Sequence, residues 1–510
     1  MKLAKKISAV LLAAAVTACV MPSGQITAAA NENGQWVARK IMDEGMVLLK
    51  NENNALPLSE NQTIALFGES QVAAYNSSVD TLTPQNGYIP FGAGSAKALG
   101  DSEMVAPLDA FREAQENGEI TIFEDLSEKY EANPKYIPDE AMYNAAAAAT
   151  DTAVVFIRRW VGECIDMNED DWYLSAQEEE VLITLTQKFT TVIAVLNTPA
   201  PIDTQWAVGG VEGIDVDAVL FAGYGGAQGG YGIADILLGK ENPSGKLVDT
   251  YAKDLNDYPT TETFFDNSTV EYTEDIFLGY RETFDPTYSK VNYEFGFGLS
   301  YTDFSITVEE FTHDGETVTV KAKVKNIGDV AGKETVQVYF STPQKGVNGA
   351  VLSKAEKELC AFKKTNLLAP GAEQTLSLSF AVSDMAQYDD SGLTGHKSAY
   401  VLEAGEYSIF VGNSVKEAGG RKAGTVVIDE LIVTEQLSEQ CATNLSKRLT
   451  ADGTYEILNQ DTGYMLPAGG TVIVEAEDYI ATSSSNENYK PKAEGFSGYL
   501  LNGNNNTWEA

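Results

Sequence analysis

Histidine and cysteine are scarce in this sequence, and positive charge is scarce relative to negative. Across 510 residues there are two histidines, His313 and His396, and four cysteines, Cys19, Cys164, Cys360 and Cys441. The histidines fall in stretches that read as strand and turn, without an HExxH or paired spacing, so Ser–His–Asp hydrolysis and His-based zinc chemistry have no support. The cysteines are scattered with no CxxC pair, which argues against both a zinc site and a disulfide framework. Lys and Arg total 35 against 74 Asp and Glu, a net charge of −39. No Lys/Arg-rich run offsets that charge locally, so nucleic acid and anionic membrane surfaces are poor partners. No metal or cofactor is expected. Chemistry in this chain has to run on carboxylates.

The remaining composition is that of a globular protein, 44% hydrophobic and 21% charged, and the length allows about three domains of ~100–200 residues each. Lys2, Lys5 and Lys6 precede an apolar run at 7–20, followed by Pro22, Gly24 and Ala28-Ala29-Ala30. That order describes a secretory signal peptide over residues 1–30, too short for a membrane span. Val16-Thr17-Ala18-Cys19 also resembles a lipoprotein cleavage box, which would make Cys19 a lipid-bearing N-terminus. Cleavage after Ala30 is the favoured reading, because Pro22 and Gly24 end the apolar helix before a suitable small-residue site. Both readings export the protein.

Between residues 64 and 250, short apolar runs at 64–67, 153–157, 192–196 and 218–222 alternate with helical patterns at 141–149, 176–187 and 230–238. This βαβα rhythm predicts a mostly parallel sheet with helices on both faces. The pattern changes near Asp249. From 304 to 433 the chain is nearly all short alternating strands, among them 317–324, 335–340, 375–380, 400–402 and 407–411, which predicts an antiparallel β-sandwich. Residues 437–470 are polar and weakly patterned and read as a linker. A last strand pattern at 471–479 leads into a Gly/Asn/Ser-rich tail, a partial β jelly-roll too short to be stable alone.

In an open α/β sheet, ligands bind at the carboxyl ends of the strands. The run at 153–157 leads directly into Arg158-Arg159-Trp160-Val161-Gly162-Glu163-Cys164-Ile165-Asp166, and Trp172 follows in the same loop region. This composition suits sugar chemistry: Arg158 or Asp166 can hold hydroxyls, the Trp160 and Trp172 indoles can stack on a pyranose, and Glu163 can donate a proton. Most acidic loops in so acidic a chain are simply solvated, so composition alone carries this only weakly. A glycine cluster over 223–230 fails the GxGxxG frame at Gln228 and has no Lys-Ser/Thr pair, so it reads as a tight strand-to-helix turn.

Several motifs in order carry a resemblance. Glu44-Gly45-Met46-Val47-Leu48-Leu49-Lys50-Asn51 is followed by Leu56-Pro57-Leu58, the Gly162-Glu163 loop, Val195-Leu196-Asn197, Pro201-Ile202-Asp203 and Ala234-Asp235-Ile236-Leu237-Leu238-Gly239. Asn242-Pro243-Ser244-Gly245-Lys246-Leu247 and the aromatic stretch over 295–301 continue the series. Over residues 34–436 the chain resembles the family 3 glycoside hydrolases. Its 324–334 stretch is similar to that family's fibronectin type III-like domain, and 474–479 with 495–502 to the start of a family 6-type carbohydrate-binding module.

The resemblance implies an α/β sandwich domain at 34–265, a connecting segment at 266–302, a fibronectin type III-like domain at 303–436, a linker at 437–470 and an interrupted module at 471–510. It implies that Glu163 is the general acid/base, with Val161 and Cys164 standing where the family has Ser and Gly. The family's nucleophile is an Asp in a Ser-Asp-Trp-like motif on a separate (β/α)8 barrel, which this chain does not contain; Asp171-Trp172 falls in the sandwich domain and reads as loop. The implied function is a secreted, retaining β-glucosidase or β-xylosidase acting on an oligo- or polysaccharide. Its barrel would lie downstream or on a separate chain. The alternative is a non-catalytic secreted carbohydrate-binding protein built from hydrolase-derived modules.

Overall fold

Seven-residue runs without polar alternation, such as Thr-Ala-Val-Val-Phe-Ile-Arg, can be satisfied only where both faces of a strand are covered. The computed structural model places them there. It describes residues 23–73, 86–92, 104–162, 166–264, 271–281, 287–438, 445–458, 500–502 and 507–509. Residues 1–22, including Cys19 and most of the stretch expected to be a signal peptide, lie outside these residues, as does the tail apart from two short strands.

The first domain is built on a six-stranded sheet. Its strands are β1 (Val47–Asn51), β2 (Thr63–Phe67), β3 (Thr121–Ile122), β4 (Thr152–Arg158), β5 (Thr191–Asn197) and β6 (Ala218–Phe221), in the order β1-β6-β5-β4-β2-β3. All neighbouring pairs are parallel except β1 with β6. β4 and β5 pair in register from Thr152↔Thr191 to Arg158↔Asn197, so both end on the same edge of the sheet.

Helices cover the two faces: α1 (Ser23–Gly45), α2 (Pro107–Glu116), α3 (Glu124–Ala132), α4 (Glu140–Ala149), the single turn α5 (Glu169–Trp172), α6 (Ala176–Lys188) and α7 (Gly229–Leu237). Local chemistry fixes where several of them start. The Asp139 carboxylate caps α4 by accepting from the Met142 amide at 2.9 Å. At the start of α6, Ser175 Oγ accepts from the Glu178 amide while the Glu178 carboxylate accepts from the Ser175 amide, a reciprocal pair that satisfies two otherwise unpaired donors. Two helices were not evident from pattern. α3 is so charged that only Leu126, Ser127 and Tyr130 are buried, whereas α2 buries Pro107, Leu108, Ala110, Phe111 and Ala114.

The second domain is the expected antiparallel β-sandwich. One sheet contains β7 (Phe304–His313), β8 (Thr317–Asn326) and β11 (Glu373–Ala381), in the order β11-β8-β7. The facing sheet contains β9 (Thr335–Ser341), β10 (Glu358–Lys364), β12 (Gly405–Gly412) and β13 (Lys422–Ile428), in the order β10-β9-β12-β13. Period-two alternation turns Val318, Val320, Ala322 and Val324 inward against Val338, Phe340, Ile409 and Val411, as a half-buried strand requires. Both histidines are exposed in this domain.

The two domains are joined through polar groups removed from water. Lys246 pairs with Glu334 at 2.9 Å and also donates to the Gly298 carbonyl. Asn413 Nδ2 donates to Glu334, and Ser414 Oγ donates to Glu294. Beyond the sandwich, the stretch expected to be a linker contains a small hairpin, Lys447–Leu449 with Tyr455–Ile457. It docks on the connecting segment through the Leu449 amide, which donates to the Thr273 carbonyl at 2.7 Å.

Candidate active site

The carboxyl ends of β4 and β5 lie side by side, and each carries a polar residue that organises the edge. At β5 this is Asn197, fully buried. Its side-chain oxygen accepts from Ser70 Oγ and the Ile89 amide, both at 2.8 Å, and its amide nitrogen donates to the carbonyls of Ile89 and Gly223. One side chain thus ties β5 to the 86–92 loop and to the glycine turn after β6. The arrangement satisfies all four hydrogen-bonding positions of a group that would be costly to bury unpaired.

At β4 the organising residue is Arg159. Its guanidinium binds Glu178 at 2.7 and 3.0 Å and donates to the carbonyls of Arg158, Asp171 and Tyr173 at 2.6–2.7 Å. Arg158 lies on the outgoing limb of the 160–171 loop, and Asp171 and Tyr173 lie on the returning limb. The loop that carries Glu163 is therefore closed at its neck by one buried cation.

A second anchor comes from the glycine turn. Tyr224 OH accepts from the Val161 amide at 2.9 Å and donates to the Arg159 carbonyl at 3.0 Å. Burial pushes this hydroxyl above its usual pKa, so it stays a donor. The turn serves packing, as its failed GxGxxG frame implied: a Cβ on Gly229 would sit 1.7 Å from Tyr88 OH.

Around the neck opens a cavity of about 620 Å³. Arg158, Trp160 and Asp166 line it, together with Glu69, Tyr136, Asp170 and Tyr173. Sequence reasoning named the first three. It missed Glu69, which sits in the turn after β2 and pairs with Arg158 at 2.9 Å. The order of parallel strands was the available signal, since β2 neighbours β4 and their carboxyl ends must share an edge. Arg158 is consequently already neutralised, and its Nε has no hydrogen-bond partner among the described residues.

Trp172 is placed elsewhere. Its side chain is 5% exposed and its ring meets Tyr258 edge-on at 5.4 Å, so it is a packing residue under the loop and not a face open to a sugar. Asp171 lies in the single turn α5, not in irregular loop, and accepts from the Asn168 amide at 2.9 Å to cap that turn. Glu163 itself lies outside the described residues, between Gly162 and Asp166. Among the described residues no group of three or more His, Cys, Asp and Glu side chains could hold a metal ion, and no helix is long and apolar enough to cross a membrane.

Comparison with known proteins decides the family. The glycosyl hydrolase family 3 C-terminal domain matches residues 46–301, half of the chain, and the fibronectin type III-like domain matches 334–415. The chain belongs to glycosyl hydrolase family 3. Its relatives in the family include beta-glucosidase A of Butyrivibrio fibrisolvens, 35% identical over 82% of this chain and 54% of the relative. A beta-glucosidase of Ruminococcus albus is 36% identical over 79% of this chain and 42% of the relative. The solved beta-glucosidase from Paenibacillus barengoltzii superposes with a TM-score of 0.72 at 36% identity, covering 82% of this chain and 47% of that one. The chain thus spans about half the length of the family 3 relatives it matches.

Proposed function

We propose that this chain supplies the acid/base side of a retaining β-glucosidase active site. The observation that carries the reading is the 160–171 loop. It leaves the carboxyl end of β4, is pinned at its neck by Arg159 and Tyr224, and borders a cavity lined by Arg158, Trp160 and Asp166. Glu163 on that loop protonates the glycosidic oxygen as the bond to the leaving group breaks, then takes a proton from the water that releases the sugar. Trp160 offers a ring face to the pyranose, and Asp166 accepts from its hydroxyls.

Retaining hydrolysis needs a second carboxylate about 5–5.5 Å from the first. Asp171 is committed to capping α5, and the described residues form no (β/α)8 barrel. The reading therefore assigns the nucleophile to a barrel further along the same polypeptide or on another one. The beta-glucosidases named above, all longer than this chain, support the assignment. The test is hydrolysis of an aryl β-glucoside. The chain alone should be nearly inactive, and a chain joined to or mixed with a family 3 barrel should turn over, with activity lost in Glu163→Gln. Robust turnover by the chain alone would overturn the assignment of the nucleophile.

Export follows from the leader over residues 1–30. Mass measurement of the mature N-terminus checks it: a chain starting at Asn31 supports signal-peptide cleavage, and one starting at a lipid-modified Cys19 supports anchoring.

A further inference from the structure

Helix α1 lies against α7, and charged groups meet between them away from the candidate site. Arg39 binds Asp235 through Nε and Nη2, at 2.6 and 2.7 Å, and its guanidinium lies over the Tyr231 ring at 4.4 Å. Lys40 reaches Asp43 at 3.1 Å and also Glu241, in the loop after α7. Asp43 and Asp235 are 2% and 3% exposed. Glu44, the next acid along α1, is engaged elsewhere, with Lys333 and Lys364.

The cluster that faces Asp43 thus holds three carboxylates, Asp43, Asp235 and Glu241, and two cations, Arg39 and Lys40. It is one positive charge short. The deficit falls on Asp43, whose Oδ1 is buried with no hydrogen-bond partner among the described residues, and an unpaired buried acceptor is costly. A proton on that oxygen would balance the charge and turn an unpaired acceptor into a donor.

We propose that the α1–α7 junction is a proton-dependent clamp, in which uptake of one proton by Asp43 tightens the docking of α1 on α7. The same junction reaches toward the glycine turn. Gly232 lets Met42 approach so closely that a Cβ there would lie 2.8 Å from Met42 Cβ, and Met42 Cε lies 3.4 Å from the Cβ position of Gly225. Tyr224, which anchors the 160–171 loop, is the neighbour of Gly225.

The sign follows from burial, which lifts the Asp43 carboxyl from an ordinary 3.8 to about 6; Lys40 opposes the rise, while Asp235 and Glu241 add to it. The stabilisation is fully present below the ordinary value and is lost as pH rises through about 6.

The experiment is amide hydrogen exchange over residues 36–46 of the full chain, corrected for intrinsic rates. Protection should be about tenfold higher at pH 5 than at pH 7.5, the change a shift of this size gives. Asp43→Asn, which cannot ionise, should show equal protection at both pH values. Glu241→Gln, a milder change, should move the midpoint to lower pH. Equal protection in the unaltered chain, an unaltered pH dependence in Asp43→Asn, or an unmoved midpoint in Glu241→Gln would each overturn the clamp.

Discussion

Arg159 and Glu178 form a two-point ion pair, at 2.7 and 3.0 Å, between the carboxyl end of β4 and the first turn of α6. Glu178 has two roles, since the oxygen at 3.0 Å also accepts from the Ser175 amide that starts α6. The start of a helix and the neck of a loop therefore share one carboxylate. Arg159→Met should destabilise the chain by about 2–3 kcal/mol, because three carbonyls lose a charged donor while Glu178, a quarter exposed, can turn to water. Urea unfolding measures it. Arg159→Lys should recover only part of the loss, because an ammonium cannot serve Glu178 and three carbonyls in the fork geometry of a guanidinium. Full recovery by lysine would mean that charge alone matters at this position.

Tyr224 holds the same loop from the other side through one hydroxyl. Tyr224→Phe keeps the ring and removes the partner of the Val161 amide. The expected stability loss is about 1–2 kcal/mol, and the amides of Val161 and Gly162 should exchange faster while those of β4 do not. Uniform acceleration across the domain would indicate a global effect instead of a local anchor.

The uneven visibility of this architecture in the sequence has a physical basis. β4, β5 and β6 declare themselves because a strand buried on both faces has to be apolar throughout, and the fibronectin-like strands because one wet face enforces alternation. α3 was obscured because a helix held by three buried residues has little periodicity to show. The place of Arg158, Trp160 and Asp166 in the cavity lining was legible from chain position, since they follow a central parallel strand. Trp172 was misplaced by the same logic: sequence proximity puts it on the loop, but its orientation depends on Tyr258, distant in sequence. The Arg158–Glu69 pair was missed for a related reason, since finding it requires knowing which strand neighbours β4.

The two tryptophans should therefore separate experimentally. Trp172→Ala removes a large buried ring beside Tyr258 and should cost about 3–5 kcal/mol. Trp160→Ala, in the cavity lining, should stay within about 0.5–1 kcal/mol of the unaltered chain. It should also abolish any tryptophan fluorescence change caused by added glucose. Thermal unfolding and a sugar titration of both variants check this, and the reverse pattern would restore Trp172 as the sugar-facing residue.

The junction between the two domains supports a last expectation. Lys246 and Glu334 have side chains 12% and 6% exposed, and Glu334 also receives Asn413 and the Thr335 amide. Phe295, from the connecting segment, stacks on Tyr280 at 4.3 Å, and its carbonyl accepts from the Val415 amide of the second domain. Contacts this dry leave neither domain a solvated face of its own along the junction, so the two should unfold together. Calorimetry should show one transition for both domains in the unaltered chain. Lys246→Met strands Glu334 in a buried site, where an unpaired charge costs about 3–5 kcal/mol, and should split the transition in two. If the unaltered chain already melts in two well-separated steps, the polar junction is not what couples the domains.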